Sequence, residues 1–468
     1  MGKTKDVIVF GFALFAMFFG AGNLIFPPYL GIITGPEWLI AFLGFTFADA
    51  GLALLAVMAT AKFDGNVVEM FKRCGMKLGI LIGCADILCI GPFLAIPRTG
   101  ATTYEMGIMP LFGTSIPVLL FCILFFAISY VLTIRPSKVV DIVGQFLTPA
   151  LLIALAFIII KGIISPLGDI VDKPMIPNVF AEGIGQGYQT MDAFAAIALA
   201  SVLIVSLNDK GYSTISDKLK MIGKAGVLAC GGLALVYGGL CFLGATVSTM
   251  YGTDAVQSQV IVNITEGLLG NVGKAILAVV VSLACLTTSI GLTSATGQYF
   301  SRLTKGKLSY EKIVLAVSVF SAVVASFGVG TIIKIASPIL SIVYPPSIVL
   351  IILAFFNEKI KNDNVYKGAV YMSLLVSILT VISSYGVAVP VVNSLPLNSL
   401  GFNWVVPVII AGIIGNFIPS KSQSNTCLFI HISKKKKKKT IYVNNIFDST
   451  QINMQVTCFT HRMQNHTV

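Results

Sequence analysis

The chain is poor in charge. Of its 468 residues only 11% are Asp, Glu, Lys or Arg, while 56% are hydrophobic. A soluble domain of this length could not cover its surface with so little polarity. That excludes a soluble enzyme and implies a polytopic membrane protein. Histidine is scarcer still, and all three, His431, His461 and His466, lie beyond residue 430. The apolar body therefore offers none for a zinc site, a haem or an imidazole relay. The nine cysteines form no C-x-x-C pair. Most (Cys84, Cys89, Cys122, Cys230, Cys241, Cys285) sit inside apolar segments, where they read as small membrane hydrophobes and not as disulfides or metal ligands. H-E-x-x-H and G-x-S-x-G are absent, and Asp49, Asp86 and Asp192 have no spacing that recommends a carboxylate pair. An intramembrane enzyme is thus disfavoured, no cofactor is implied, and no repeated filter loop suggests a channel.

Against that background one stretch stands out. FFGAGNLIFPP, Phe18 to Pro28, lies in the middle of an apolar run long enough to span a bilayer. Gly20, Ala21, Gly22 and Asn23, followed by Pro27 and Pro28, are poor material for a plain anchor. An interrupted helix at this depth leaves backbone groups that lipid cannot satisfy, so it is tolerated only where it lines a cavity or holds a ligand. The alternative is a Pro-kinked, Gly-packed anchor.

At roughly 20 apolar residues per span, the candidates are 7–33, 37–61, 78–104, 116–134, 138–161, 189–207, 223–248, 273–300, 312–329, 332–356, 366–389 and 402–419. The net charge of +12 is scattered through short loops and one terminal run. It forms no basic patch interleaved with aromatics, so nucleic acid is excluded as a partner and the membrane lipid is the expected surroundings. Lys and Arg crowd alternate loops, among them Lys3, Lys5, Lys72, Arg73, Arg135, Lys138, Lys218, Arg302, Lys307 and Lys361. The opposite loops hold little beyond Lys161, Lys173 and Lys274. This asymmetry places both termini in the cytoplasm and supports an even number of spans. The connection from Gly162 to Gln189 is the longest on the outer face and reads as a loop over an outer vestibule.

The sixth span, QGYQTMDAFAAIALAS, puts Thr190, Asp192, Ala195 and Ala196 where an anchor would carry Leu and Ile. It is the second interrupted segment, five spans after the first. Two such segments at equivalent places point to a transporter of two inverted five-helix units with its site at the midplane. The fold class is therefore all-α, with about twelve membrane helices in a 5+5 inverted repeat broken at helices 1 and 6.

Ionisable groups inside spans are costly and face a cavity or a partner. They are Asp49, Asp86, Arg98, Glu105, Asp192 and Lys334, each of which could equally be a structural pair or a snorkelling end. Arg98 and Glu105, about two turns apart, would face the same way on a continuous helix. An amino-acid carboxylate would suit the free N–H groups of Gly20 to Asn23 at the positive end of a half-helix. Its ammonium would suit Thr190 and Asp192, and its side chain an apolar pocket that includes Phe194. A hard cation wants hydroxyl and carbonyl oxygens. SLACLTTSIGLTSATGQ, in the eighth span, supplies consecutive hydroxyls at Thr287, Thr288 and Ser289. The competing reading is back-bonding within their own helix.

The stretches FFGAGNLIFPP, GPFLAIPRTGATTYEMG, GYQTMDAFAAIALA, LTTSIGLTSATGQYF and SPILSIVYPPSIVLI resemble, in the same order, the bacterial branched-chain amino acid:cation symporters, the system II carriers. The resemblance runs from residue 10 to about 419. It implies uptake of leucine, isoleucine and valine, driven by sodium ions or protons, across the bacterial plasma membrane. GAGNLIFP and LACLTTSI also resemble the broken first helix and the eighth-helix sodium run of the sodium-coupled bacterial leucine transporter. By that likeness the carbonyls of Ala16, Phe19 and Ala284 and the hydroxyls of Thr287 and Thr288 would hold one sodium. Asn23 and Thr190 would belong to a second, and Ala21, Gly22 and Asp192 would touch substrate. Asp192 stands where the relative has a hydroxyl, so it could carry a proton or bind the substrate amine.

From about Ser420 the family pattern stops. Six consecutive lysines and an Asn/Gln/His-containing tail over 421–468 read as disordered. A polybasic segment on anionic lipid would explain the lysines. The abrupt change of composition favours instead a slip in an A-rich codon run.

Overall fold

The computed structural model describes residues 2–134 and 152–419. The expectations placed on Arg135, Lys138, the first part of the 138–161 span and the 421–468 tail lie outside the described residues. Among the described residues every regular element is a helix. Among these residues seven segments are long and apolar enough to cross a membrane, and three shorter apolar helices accompany them.

The first apolar run is two helices, α1 (Gly2–Phe18) and α2 (Gly22–Thr34). Between them Phe19, Gly20 and Ala21 leave the helix. Pro27 and Pro28 lie inside α2; neither has an N–H to offer the carbonyl four residues back. A long helix follows in two parts, α3 (Trp38–Thr46) and α4 (Leu52–Ala61), joined by a π-helical turn, Phe47–Gly51. After the short α5 (Val67–Lys72) comes a second helix of this kind. Its parts are α6 (Met76–Leu88), α7 (Ala95–Thr102) and α8 (Met109–Phe112), with π turns at Cys89–Phe93 and Thr103–Ile108. Pro92 and the non-helical Gly91 account for the first of these turns. Then come α9 (Val118–Ile134) and α10 (Leu152–Ile164).

The expected outer loop is only partly a loop. Residues 179–190 form a helix, α11 (Val179–Thr190), which continues as α12 (Asp192–Asp209) after a single left-handed residue, Met191, at φ 66°. Two of the three glycines that suggested a loop, Gly183 and Gly187, are packing positions against α3 and the turn that follows it, while Gly185 faces open space. A Cβ on Gly183 would strike the Ala41 carbonyl, and one on Gly44 would lie 2.6 Å from the Phe180 carbonyl, so α11 and α3 cross backbone to backbone.

The chain then folds into α13 (Ile215–Ala245), α14 (Gln257–Leu303), α15 (Tyr310–Ala325) and α16 (Val329–Phe355). It ends with α17 (Asp363–Ser384), α18 (Pro390–Asn393) and α19 (Val405–Phe417). Helix α14 is two helices meeting at Gly270, whose φ of 62° and ψ of −156° break the run. Thr214 starts α13, its hydroxyl accepting the Asp217 N–H.

Helix α2 lies at the centre, packed on α13, α11, α3 and α14. Its crossing with α13 is as close as that of α3 with α11. A Cβ on Gly31 would strike the Cys241 carbonyl, and one on Gly244 the Pro28 carbonyl. In lipid, helices gain association energy chiefly from such contact, so small residues at crossings are a requirement of the fold. Replacing Gly31 with Val is expected to lower stability by at least about 1–3 kcal/mol, read as a loss of melting temperature and of monodisperse protein in detergent. Gly231→Ala, where an added Cβ meets nothing within 4 Å, should leave both unchanged.

Candidate functional site

The two helix breaks face each other, and a buried polar cluster joins them. Asn23, in the first turn of α2, is completely buried. Its Oδ1 accepts the N–H of Gly20 at 2.9 Å, so the side chain closes the break it stands in. Its Nδ2 donates to Asp192 Oδ2 at 2.8 Å and to Asp49 Oδ2 at 3.3 Å, and it also meets the hydroxyl of Tyr237. Thr190, the last residue of α11, donates its hydroxyl to Asp49 Oδ1 at 2.7 Å, sharing that hydrogen with the Gly187 carbonyl at 2.7 Å. Five side chains from α2, the α3–α4 turn, α11, α12 and α13 thus meet at one place. Asp49 reaches it because it sits on the π turn, a feature that recurs at functional sites.

The breaks supply partial charges as well. Asp192 opens α12, where the helix dipole favours an anion, and Arg98 closes α11, where it favours a cation. The Arg98 guanidinium, 4% exposed, donates from Nη1 to the Gln189 carbonyl and from Nη2 to the Thr190 carbonyl at 3.0 Å. It also lies over the Phe26 ring, 5.4 Å from its centroid. At the other break the backbone N–H groups of Ala21 and Gly22 take no partner among the described residues. The fully buried Tyr344 is stacked between Tyr188 and Phe194, with centroids 4.3 and 4.2 Å away.

Not every expected site residue joins this cluster. Asn23, Thr190 and Asp192 do, Ala21 and Gly22 form its backbone edge, and Phe194 lies against Tyr344. On α14, Thr287 donates back to the Ala284 carbonyl at 2.9 Å. Among the described residues no hydrogen bond joins Thr287 or Thr288 to Ala16 or Phe19 of the first break. The remaining intramembrane charges divide. Glu105 does not pair with Arg98. Its carboxylate accepts from Ser258 and from the Val329 N–H at 2.8 Å, capping α16. The reason is the π turn Thr103–Ile108, which shifts the helical phase after Arg98. Asp86, 2% exposed, accepts from the hydroxyl of Ser347 at 2.9 Å and has no other hydrogen-bond partner among the described residues. Lys334 is exposed near the start of α16. Tyr237 was missed altogether by sequence reasoning. Its single signal is a tyrosine inside an otherwise aliphatic helical run.

Two broken helices with opposed ends and buried charge at membrane depth define a secondary transporter of the broken-helix class. The fold agrees. Among solved structures the chain is similar to Mhp1 in its inward-facing conformation, with a TM-score of 0.58 at 14% identity, covering 87% of this chain and 90% of that one. It is also similar to MhsT in complex with L-phenylalanine, with a TM-score of 0.53 at 18% identity, covering 87% and 98%. Residues 3–422 match the model of the family described as branched-chain amino acid transport protein. The branched-chain amino acid permease BraB of Bacillus subtilis is 38% identical over 424 residues, 88% of this chain and 95% of that protein. The permease BrnQ of Salmonella typhimurium is 34% identical over 419 residues, 88% and 95%. The chain belongs to the family of branched-chain amino acid transport proteins, membrane carriers and not enzymes.

The cluster depends on Asn23. Replacing it with Ala removes the shared donor from two buried carboxylates and should cost about 1–3 kcal/mol of stability, with substrate uptake lost. A melting curve in detergent and an uptake assay check the two effects. Thr133→Val, which removes a hydroxyl that among the described residues bonds back to the Ser129 carbonyl alone, serves as the control.

Proposed function

We propose that this carrier imports leucine, isoleucine and valine together with a sodium ion or a proton, by alternating access. The observation that carries this reading is the junction of the two breaks, where Asp49 and Asp192 share the amide of Asn23. With both carboxylates ionised, Arg98 offsets only one of them. One negative charge is left in excess at membrane depth, and leaving it uncompensated is costly. A single monovalent cation or proton removes that excess, while a zwitterionic amino acid adds no net charge. Cation binding would therefore prepare the site for substrate, which is the logic of coupling.

In this reading Ala21, Gly22 and Asn23 hold the substrate carboxylate through the start of α2. Asp192 and Thr190 serve its ammonium or the cation, and Phe194 lines the side-chain pocket. The carbonyls of Ala16, Phe19 and Ala284 and the hydroxyls of Thr287 and Thr288 form a second cation position, reached when α14 approaches the first break. The twelve spans comprise two inverted five-helix units and two further helices, with both termini in the cytoplasm of a bacterium and the chain in its plasma membrane. Positive-inside bias supports that orientation.

Labelled leucine uptake into proteoliposomes, with an imposed sodium gradient compared with an imposed pH gradient, tests the function. One gradient should concentrate leucine, and excess isoleucine or valine should compete. Folded protein that concentrates leucine under neither gradient would refute the assignment. Thr288→Ala should weaken activation by sodium several-fold if sodium is the driving ion, and unchanged activation would remove the α14 hydroxyls from the site.

A further inference from the structure

Arg98 has more donors than its visible partners use. A guanidinium carries five N–H groups in a planar fork. Here one from Nη1 and one from Nη2 are spent on the carbonyls of Gln189 and Thr190. Nε and the second hydrogen of Nη2, the side-on pair that grips a carboxylate with two parallel bonds, have no partner among the described residues. No described carboxylate lies within ion-pair distance of the group either, so Asp192 offsets its charge only from farther off. A buried cation in that condition is expensive. Its direction is informative. A Cβ built on Gly22 would lie 3.0 Å from Arg98 Nη2, 3.1 Å from the Phe26 ring and 3.2 Å from the Thr190 Cα. Nη2 therefore looks onto the start of α2, where the N–H groups of Ala21 and Gly22 are also unspent.

We propose that Arg98 is a substrate-binding residue. The side-on fork and the N–H groups of Ala21 and Gly22 together form the subsite for the carboxylate of the transported amino acid. The two carbonyls that Arg98 already holds fix the plane of the fork, so ordering it on binding costs little. Those contacts tie α7 to the end of α11, and the Phe26 ring under the guanidinium ties it to α2, so a bound carboxylate would bridge both broken helices through one side chain. Gly22 is a glycine because any Cβ would stand between the fork and the backbone donors. This inference rests on the reading of the break as an amino-acid site.

The test is competition against labelled leucine uptake by the full-length chain in proteoliposomes. Leucinol, which has a hydroxyl in place of the carboxylate, is compared with unlabelled leucine. Wild-type protein should prefer leucine by about 100-fold or more, since a site built for a polar group rejects the analogue that lacks it. Arg98→Gln should weaken leucine about 30-fold or more and leave leucinol nearly unchanged, so the preference collapses. Arg98→Lys, which keeps the charge but loses the fork, should lower the preference about tenfold with little change in melting temperature, and it carries the test if the Gln variant does not fold. If leucine and leucinol weaken together, Arg98 is a structural clamp and the proposal is overturned. An unchanged preference in the Lys variant would overturn it equally. Wild-type protein that takes up no leucine under any gradient would overturn the amino-acid reading itself, and this inference with it.

Discussion

One carboxamide holds the two breaks together. Asn23 offers two hydrogens from Nδ2 to three neighbours, Asp49, Asp192 and Tyr237, and its oxygen takes the orphaned N–H of Gly20. Remove it and two buried carboxylates lose the donor they share. Buried polar networks of this kind are stable only when every member is satisfied. That makes the cluster sensitive to a single added charge. A cation or a proton changes the balance at the point where α2 and α12 both begin.

The surrounding fold serves to bring that cluster into being. Close crossings at Gly31 with Gly244, and at Gly44 with Gly183, let α2 and α11 reach the same depth as α13 and α3. The π turn Phe47–Gly51 points Asp49 inward between two regular helices. The left-handed Met191 ends one helix and starts the next within one residue, a strained conformation for a side chain with a Cβ. Strain of this kind persists where surrounding contacts impose it. Here the contacts are those of Thr190 and Asp192 on either side. Arg98 and Asp192 match the opposed dipoles of α11 and α12, so the break is electrostatically complemented at both ends.

Much of this was legible in the chain. FFGAGNLIFPP announces the first break because glycines and a polar amide have no place in a plain anchor. GYQTMDAF announces the second, and Asn23, Thr190 and Asp192 meet across it. What was not legible depends on contacts between distant segments. Asp49 and Tyr237 lie 26 and 214 residues from Asn23, and no local pattern records either pairing. The π turn Thr103–Ile108 carries no Pro to announce it, so the condition on which Arg98 and Glu105 would align, a continuous helix, is not met. The glycines of GIGQGYQT looked like loop residues because glycine favours both loops and close helix crossings. Only the partner helix α3 distinguishes the two. Thr287 was read as a cation ligand, and in this conformation its hydroxyl turns back to the Ala284 carbonyl.

The central claim is that the excess negative charge beside Asn23 couples cation to substrate. The most direct measurement is equilibrium binding of labelled leucine to purified protein, as a function of sodium and of pH, for wild type, Asp49→Asn and Asp192→Asn. The account predicts cation-dependent binding in the wild type, and loss of that dependence in at least one variant whose melting temperature is retained. Full cation dependence in both folded variants would contradict it, and would move the coupling site away from the junction of the two breaks.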